Sequence, residues 1–257
     1  MTDTTSAPAW PRPYWQGSAG QTALLQFYVF GQFARELVIP APRYASSGLP
    51  AGVELKRFQN LALRQWDGYP LAGALGELLR DDAPEAFETA RTAPDALVVR
   101  GELADGASLD YLRDTLGVLA VLLDIGGRVV LDPQIFGLFD ASAWRERYLV
   151  ADGAPPRSHV LIARTLADDG VHAHVHTRGM RKFARPDISL RDVPPTELDR
   201  AGVLCEKLVE MEAFGACFVA GQELDVDGLA APLTAAPGGS LDDPAFNNFH
   251  VAFRWPA

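Results

Sequence analysis

The chain has 257 residues with 33 acidic and 23 basic side chains, a formal net charge of -10 and a pI near 4.9. This excess of acid argues against broad binding to nucleic acid or to anionic membranes, which requires positive charge. Hydrophobic residues make up 48% and charged residues 22% of the chain, which is typical of a globular protein and argues against disorder, collagen and a disulfide scaffold. No apolar run reaches the roughly 18 residues that a membrane span needs.

The N-terminal residues and the two cysteines indicate the cellular compartment of the protein. The N-terminus lacks the basic and apolar regions of a secretory signal, and the two cysteines, Cys205 and Cys217, favour a reduced compartment over a disulfide-bonded one. Only three of the basic residues are lysine, and alanine, glycine and proline are frequent, as in bacterial proteins encoded by GC-rich genes. We therefore expect a cytoplasmic bacterial protein.

Elements of the first half follow from apolar periodicity and from turn residues. Proline, glycine and aromatic residues in 1–20 predict an irregular arm. Leucines at steps of 3 and 4 from Leu109 to Leu123 predict a helix over 108–124, capped by Ser108 and ended by Gly126-Gly127. The other elements predicted here are strands at 24–30, 97–103 and 128–131, helices at 71–80 and 84–91, and a loop at 40–48.

The second half shows a related pattern. Asp168-Asp169-Gly170 predicts a hairpin turn between strands at 159–163 and 171–177. Thr196-Glu197-Leu198-Asp199 resembles a capping box and predicts a helix to about residue 213. A strand is expected at 187–190, a half-buried strand at 249–255, and a long loop at 228–245.

These elements predict an α+β fold with two related halves of sheet plus helix, mainly antiparallel strands and β-α-β units. We expect an N-terminal arm at 1–20, an N-terminal half at 21–152 and a C-terminal half at 153–257. A single continuous domain is the alternative, because the proline-rich segment between the halves also suits a surface connection.

Several chemical signatures are missing from the sequence. There is no GxGxxG or P-loop motif for nucleotides, no GxSxG element of an α/β-hydrolase, and no HExxH, CxxC or EF-hand pattern for metals. Whether the protein is an enzyme stays open, with a non-enzymatic role favoured.

Three of the five histidines alternate in one short segment. On a strand, His172, His174 and His176 would share one face, and neighbouring imidazoles would lie close enough to share a metal. Zinc is the metal that such a set would take, with a further ligand such as His159, whereas a polar strand face with no cofactor is the simpler interpretation.

A basic segment follows these histidines at once. Residues 156–192 carry seven basic and four acidic side chains in an otherwise acidic protein. Guanidinium groups suit carboxylate or phosphate, so we expect a binding site for a small anion or an acidic partner surface. Its members are Arg178, Arg181, Lys182 and Arg185. The alternative is structural, with one arginine buried against a carboxylate such as Asp187.

Residues 177–188, which read TRGMRKFARPDI, also carry a family resemblance. They resemble a T-x-G-[ML]-x-x-F-[GA]-x-P-[DE]-[IL] element of bacterial domains of unknown function, some of which are candidate toxin-immunity proteins. Ala184 stands at the position where glycine is expected. The resemblance spans about residues 95–215; it implies a protein partner but neither a reaction nor catalytic residues.

Three functions follow from these observations. The first is a non-enzymatic protein-interaction or immunity-like domain. The second is a small-anion binding protein that uses the basic segment, and the third is a metal-dependent hydrolase-type enzyme that uses the histidine face. We expect no nucleic acid and no membrane as partner, and the sequence leaves the oligomeric state open.

Overall fold

The computed structural model describes residues 8–17, 20–37, 44, 46–150, 153–243 and 246–256. Helices and strands occur in similar amounts, and the strands form two mostly antiparallel sheets, so the fold class is α+β. The chain forms two compact units, which we call the N-terminal and C-terminal units. The N-terminal unit comprises Leu24–Leu103, Ser108–Ala154 and the described residues up to Pro11; the C-terminal unit comprises Arg12–Ala23, Ala104–Ala107 and the described residues from Pro155 onward.

The N-terminal unit is built on a five-stranded sheet in the order β2-β3-β1-β4-β5. The strands are β1 Thr22–Gly31, β2 Val53–Gln59, β3 Asp95–Ala104, β4 Gly127–Asp132 and β5 Gly137–Asp140. The helices are α1 Asn60–Leu63, α2 Gly73–Asp82, α3 Pro84–Thr92, α4 Asp110–Asp124 and α5 Ala141–Tyr148.

β1 supplies large apolar side chains to both faces of this sheet, because its residues alternate between them. Tyr28 and Phe30 pack with Leu79 of α2 and Phe87 of α3 in one core. Leu25, Phe27 and Val29 point to the other face, where α4 lies, and all residues from Leu112 to Leu123 are buried. The helix is mostly apolar around its circumference, and its buried charged residues Arg113 and Asp114 pair with each other at 2.8 Å.

The C-terminal unit is built on a six-stranded sheet in the order β6-β7-β8-β11-β10-β9, in which only the β8–β11 pair is parallel. The strands are β6 Leu161–Leu166, β7 Ala173–Arg178, β8 Asp187–Val193, β9 Glu223–Leu224, β10 Leu233–Ser240 and β11 Asn248–Arg254. The long helix is α6 Leu198–Ala213, and short 3-10 helices span Pro156–His159, Met180–Phe183 and Pro195–Glu197.

The two faces of this second sheet differ in chemistry. Val175 pairs with Leu190, which pairs with Phe253, and these buried residues form an apolar face. α6 lies on this face, since Arg164 of β6 pairs with Val175 and reaches Asp199 of α6 at 3.7 Å. The opposite face carries polar residues, among them His174, His176, Ser189, Arg191 and His250.

Most predicted elements are present. The helix predicted at 108–124 is α4, the helix predicted to about 213 is α6, and the hairpin around Asp168-Asp169-Gly170 joins β6 to β7. No helix among the described residues is long and apolar enough to cross a membrane.

Other expectations are corrected. The loop predicted at 228–245 contains β10, because pairing with β11 overrides a sequence rich in proline, glycine and alanine. The capping box at Thr196 does not form, since α6 starts at Leu198 and its first turn has no side-chain cap. Composition did not predict β2 or α5, and most of the loop expected at 40–48 lies outside the described residues.

Candidate functional site

Residues 177–188 include the connection from β7 to β8. Gly179, with φ 112°, turns the chain into the 3-10 helix Met180–Phe183, and Ala184, with φ 52°, turns it out again. A left-handed φ favours glycine, so Ala184 holds a strained backbone conformation at this position. The segment is therefore a tight corner of the fold.

Two of its four basic side chains point inward. Lys182 is fully buried and its Nζ donates to the backbone oxygen of His159 at 2.9 Å. Arg185 is fully buried and donates to the backbone oxygens of Gly215 at 2.9 Å and of Ala216 at 3.0 Å, just beyond α6. Of the four residues predicted to bind an anion, Lys182 and Arg185 therefore use their donors within the protein.

A buried carboxylate joins Arg185 to Arg12. Asp105 accepts from Arg185 Nη1 at 2.8 Å and from Arg12, which also donates to the backbone oxygen of Phe183 at 2.9 Å. All three side chains are inaccessible in these ion pairs. Burial raises the pKa of Asp105, but the hydrogen bonds from Arg185 and Arg12 outweigh it and the net pKa is lowered.

Asp187 closes the same corner from the other side. Its carboxylate accepts from Thr177 Oγ1 and Asn248 Nδ2, both at 2.8 Å, and from the Met180 backbone nitrogen at 3.3 Å. Burial raises the pKa of Asp187 to about 6, although these hydrogen bonds act against it. The arginine buried against a carboxylate is Arg185, and its partner is Asp105 rather than Asp187.

The three alternating histidines are not equivalent. His172 precedes β7 and its Nδ1 lies 2.6 Å from Asp169 Oδ2 in the hairpin turn. His174 and His176 lie on one face of β7 with ring centroids 4.6 Å apart. His159 is buried elsewhere, edge-on to Phe183 at 5.9 Å.

The structure gives no support for a metal site at these histidines. Within the described residues, no three His, Cys, Asp or Glu side chains are grouped so that they could hold a metal ion. A structural zinc ion requires four ligands and a catalytic one at least three from the protein. The expected set of His172, His174 and His176 is therefore not brought together.

Further residues join His174 and His176 on the polar face of the sheet. Phe246 packs against His176 with ring centroids 5.4 Å apart and stacks on His250 at 4.4 Å. Arg191 Nη2 lies 3.4 Å from His250 Nε2. The alternation of apolar and polar residues in β11 predicts that His250 lies on the polar face of this strand. Only the parallel pairing of β8 with β11 brings His250 beside Arg191.

Burial and like charge act together on these imidazoles. Burial lowers the pKa of His174 to about 4, and the charges of His176, Arg191 and His250 add to the effect. Burial also lowers the pKa values of His176 and His250. The positive charge of Arg178 lowers the pKa of His176 further, and that of Arg191 lowers the pKa of His250 further. The uncharged imidazole is thus favoured at all three positions.

A second candidate site lies in the N-terminal unit. A groove of about 750 Å³ runs over the face of β1, β2 and β3 beside α1. Three aromatic side chains line it: Tyr28 is buried, whereas Phe58 and Trp66 are 38% and 56% exposed. Its charged residues are Glu54, Lys56, Arg100 and Glu102. No local sequence pattern predicts this groove, because its walls come from three strands and a helix.

Comparison with family models, with curated proteins and with solved structures finds no match. Function therefore has to be inferred from these two sites.

Proposed function

We propose that this protein is a non-enzymatic binding protein whose aromatic groove takes an extended segment of a partner protein. The observation that carries the proposal is the exposure of Trp66 and Phe58 on the walls of one groove. Large aromatic side chains at a concave surface provide most of the binding energy in many protein interfaces. An immunity-like role is one form of this function.

The charges of the groove specify the partner further. Glu54 pairs with Arg100 across β2 and β3, and Lys56 pairs with Val98, so both signs of charge stand on the same face as Tyr28. Lys56 Nζ lies 2.5 Å from Glu54 Oε2, and Arg100 Nη2 lies 3.7 Å from Glu102 Oε1. A partner segment with a large apolar residue between one acidic and one basic side chain would complement this pattern.

The volume of the groove, about 750 Å³, suits an extended segment of a partner protein. Pockets of about 300–1,000 Å³ hold drug-sized ligands, and a few side chains of an extended peptide occupy a similar space. Because the groove lies on a sheet with helix α1 at one side, a strand-like peptide has room to lie along it.

The test compares two exposed apolar side chains of the same unit. Partners would be captured from the native host with the unaltered protein, with Trp66→Ala and with Leu78→Ala, since Leu78 is 48% exposed and lies outside the groove. The captured partner would be purified and its affinity measured by calorimetry. We expect Trp66→Ala to cost at least about 2 kcal/mol of binding free energy and Leu78→Ala to cost little. Equal affinities for the two variants would refute the groove as the binding site.

A further inference from the structure

The polar face of the C-terminal sheet gathers groups that carry, or can accept, positive charge. We call these residues the imidazole–arginine cluster: His174, His176, Arg178, Arg191 and His250. They come from β7, β8 and β11, which are neighbours in the sheet, and they lie on the face opposite α6. Such a cluster is unusual in a chain with a net charge of -10.

The cluster members contact one another directly. Ser189 Oγ lies 2.8 Å from His174 Nε2 and 3.4 Å from Arg191 Nε, and Arg191 Nη2 lies 3.4 Å from His250 Nε2. Arg191 therefore lies between two imidazoles. Because its guanidinium can only donate, the facing Nε2 of His250 must accept, which leaves the proton of that ring on Nδ1.

Three acidic residues face or flank the cluster. Asp187 is fully buried and accepts from Thr177, Met180 and Asn248. Asp192 binds Arg254 Nε at 2.9 Å. Asp243 Oδ2 approaches His250 Nδ1 to 3.9 Å, which is beyond hydrogen-bond distance. The cluster thus carries more potential positive than negative charge.

Two ring nitrogens in the cluster are buried. His176 and His250 are 7% and 8% exposed, and their Nδ1 atoms have no hydrogen-bond partner within the described residues. His250 also lies close over the backbone of β10, since a Cβ built on Gly239 would come within 2.6 Å of its Nδ1. Buried polar nitrogens without partners are uncommon, and a ligand is one way to satisfy them.

We propose that the imidazole–arginine cluster binds a small oxyanion with two negative charges, of the phosphate class. A tetrahedral oxyanion accepts several hydrogen bonds at once, which matches imidazole and guanidinium donors from three strands. Of the residues predicted as an anion site from sequence, only Arg178 belongs to this cluster. The site is separate from the aromatic groove, so either proposal can fail without the other.

The five histidines provide their own controls in an NMR titration. Inorganic phosphate would be added to the ¹⁵N-labelled full chain at constant ionic strength, with chloride as the balancing anion. We expect saturable shifts of the side-chain nitrogens of His174, His176 and His250, and a rise of their pKa values, because a bound anion favours the imidazolium form. His159 and His172, which lie outside the cluster, should not move. Equal shifts in all five histidines, or the same response to chloride, would overturn the proposal.

Two substitutions test the geometry. Arg191→Gln removes an exposed guanidinium from the cluster, whereas Arg164→Gln removes an exposed one from the opposite face of the same sheet. We expect Arg191→Gln to weaken phosphate binding by at least about tenfold, the effect of one charge-assisted hydrogen bond, and Arg164→Gln to leave it unchanged. His250→Gln serves as a second variant if Arg191→Gln fails to fold. Equal weakening by the cluster and control variants would refute the site.

The source of the phosphate group is settled by a second ligand. Phenyl phosphate presents the terminal group of a phosphate monoester, and inorganic phosphate presents the free ion. Tighter binding of phenyl phosphate would identify a monoester as the ligand, and tighter binding of inorganic phosphate would identify the free ion. Failure of both to bind at millimolar concentration would refute the proposal.

Discussion

Arg185 and Asp105 form an ion pair inside the C-terminal unit, with Arg185 Nη1 2.8 Å from Asp105 Oδ2 and both side chains inaccessible to solvent. The carboxylate also accepts from Arg12, so two guanidinium groups share one buried acid. Arg185 in addition donates to the two backbone oxygens that follow α6. The pair thus ties the corner between β7 and β8 to the end of the helix.

Loss of this pair should destabilise the protein strongly. Arg185→Ala removes the donor to the backbone oxygens of Gly215 and Ala216 and weakens the compensation of a buried carboxylate, so we expect a loss of about 3–5 kcal/mol in the free energy of unfolding. Arg164→Ala breaks only an exposed pair with Asp199 and should cost about 0–1 kcal/mol. Urea unfolding followed by circular dichroism measures both, and similar losses in the two variants would contradict a structural role for Arg185.

This corner shows how far a sequence can be interpreted alone. Strand alternation correctly placed His174 and His176 on one face, because the period of a strand is a local property. The burial of Lys182 and Arg185 was not predictable, since charged side chains are usually exposed and their acceptors lie far along the chain.

The same limit applies to both candidate sites. His250 reaches the polar face of β7 and β8 only through a parallel strand pairing, for which the sequence carries no local signal. Trp66 and Tyr28 meet in one groove because β1, β2 and β3 are neighbours in the sheet. Periodicity predicted most helices and the hairpin, whereas the sites depend on contacts between distant segments.

A glycine at the end of α4 should be intolerant of a side chain. Gly126 has φ +133°, and a Cβ there would come within 2.1 Å of the backbone oxygen of Gln32. Because backbone atoms cannot move aside easily, we expect Gly126→Ala to cost at least about 2 kcal/mol in the free energy of unfolding. Gly73→Ala is the control, since Gly73 has φ +61° with open space around it, so that only the backbone strain of about 1–2 kcal/mol applies. Thermal unfolding of the two variants would refute this if their midpoints fell equally.

The hydroxyl of Thr177 should control the ionisation of Asp187. It donates to Asp187 Oδ1 and accepts from the Ile188 backbone nitrogen, both at 2.8 Å. Thr177→Val keeps the shape but removes both bonds, so we expect the pKa of Asp187 to rise further above about 6 and the free energy of unfolding to fall by about 1–3 kcal/mol. A ¹³C NMR titration of the Asp187 carboxyl carbon measures the first effect. Thr165→Val, at an exposed position of β6, is the control and should leave that titration unchanged.

Helix α6 carries a buried acid near its C-terminal end. Glu212 is fully buried, and neither carboxylate oxygen has a hydrogen-bond partner within the described residues. Burial raises the pKa of Glu212 well above its ordinary value; the charge of Arg185 acts against this, and that of Asp187 adds to it. The neutral, protonated form is therefore favoured in the folded protein.

A raised carboxyl pKa makes stability fall as the pH rises. Above the unfolded pKa of Glu212 the unfolded state releases a proton that the folded state keeps, so the contribution of this group is full at low pH and is lost as the pH rises through the folded pKa. The raised pKa of Asp187 also makes the free energy of unfolding fall with rising pH, but only up to about pH 6. Above pH 6, the difference in the free energy of unfolding between the unaltered protein and Glu212→Gln therefore reports on the ionisation of Glu212.

We expect the free energy of unfolding of the unaltered protein to fall by up to about 1.4 kcal/mol per pH unit relative to that of Glu212→Gln, because glutamine cannot ionise. Glu210→Gln, at an exposed position of the same helix, should follow the unaltered protein. Urea unfolding between about pH 6 and pH 8 measures the three profiles, and parallel profiles for all three would show that Glu212 is ionised in the folded state.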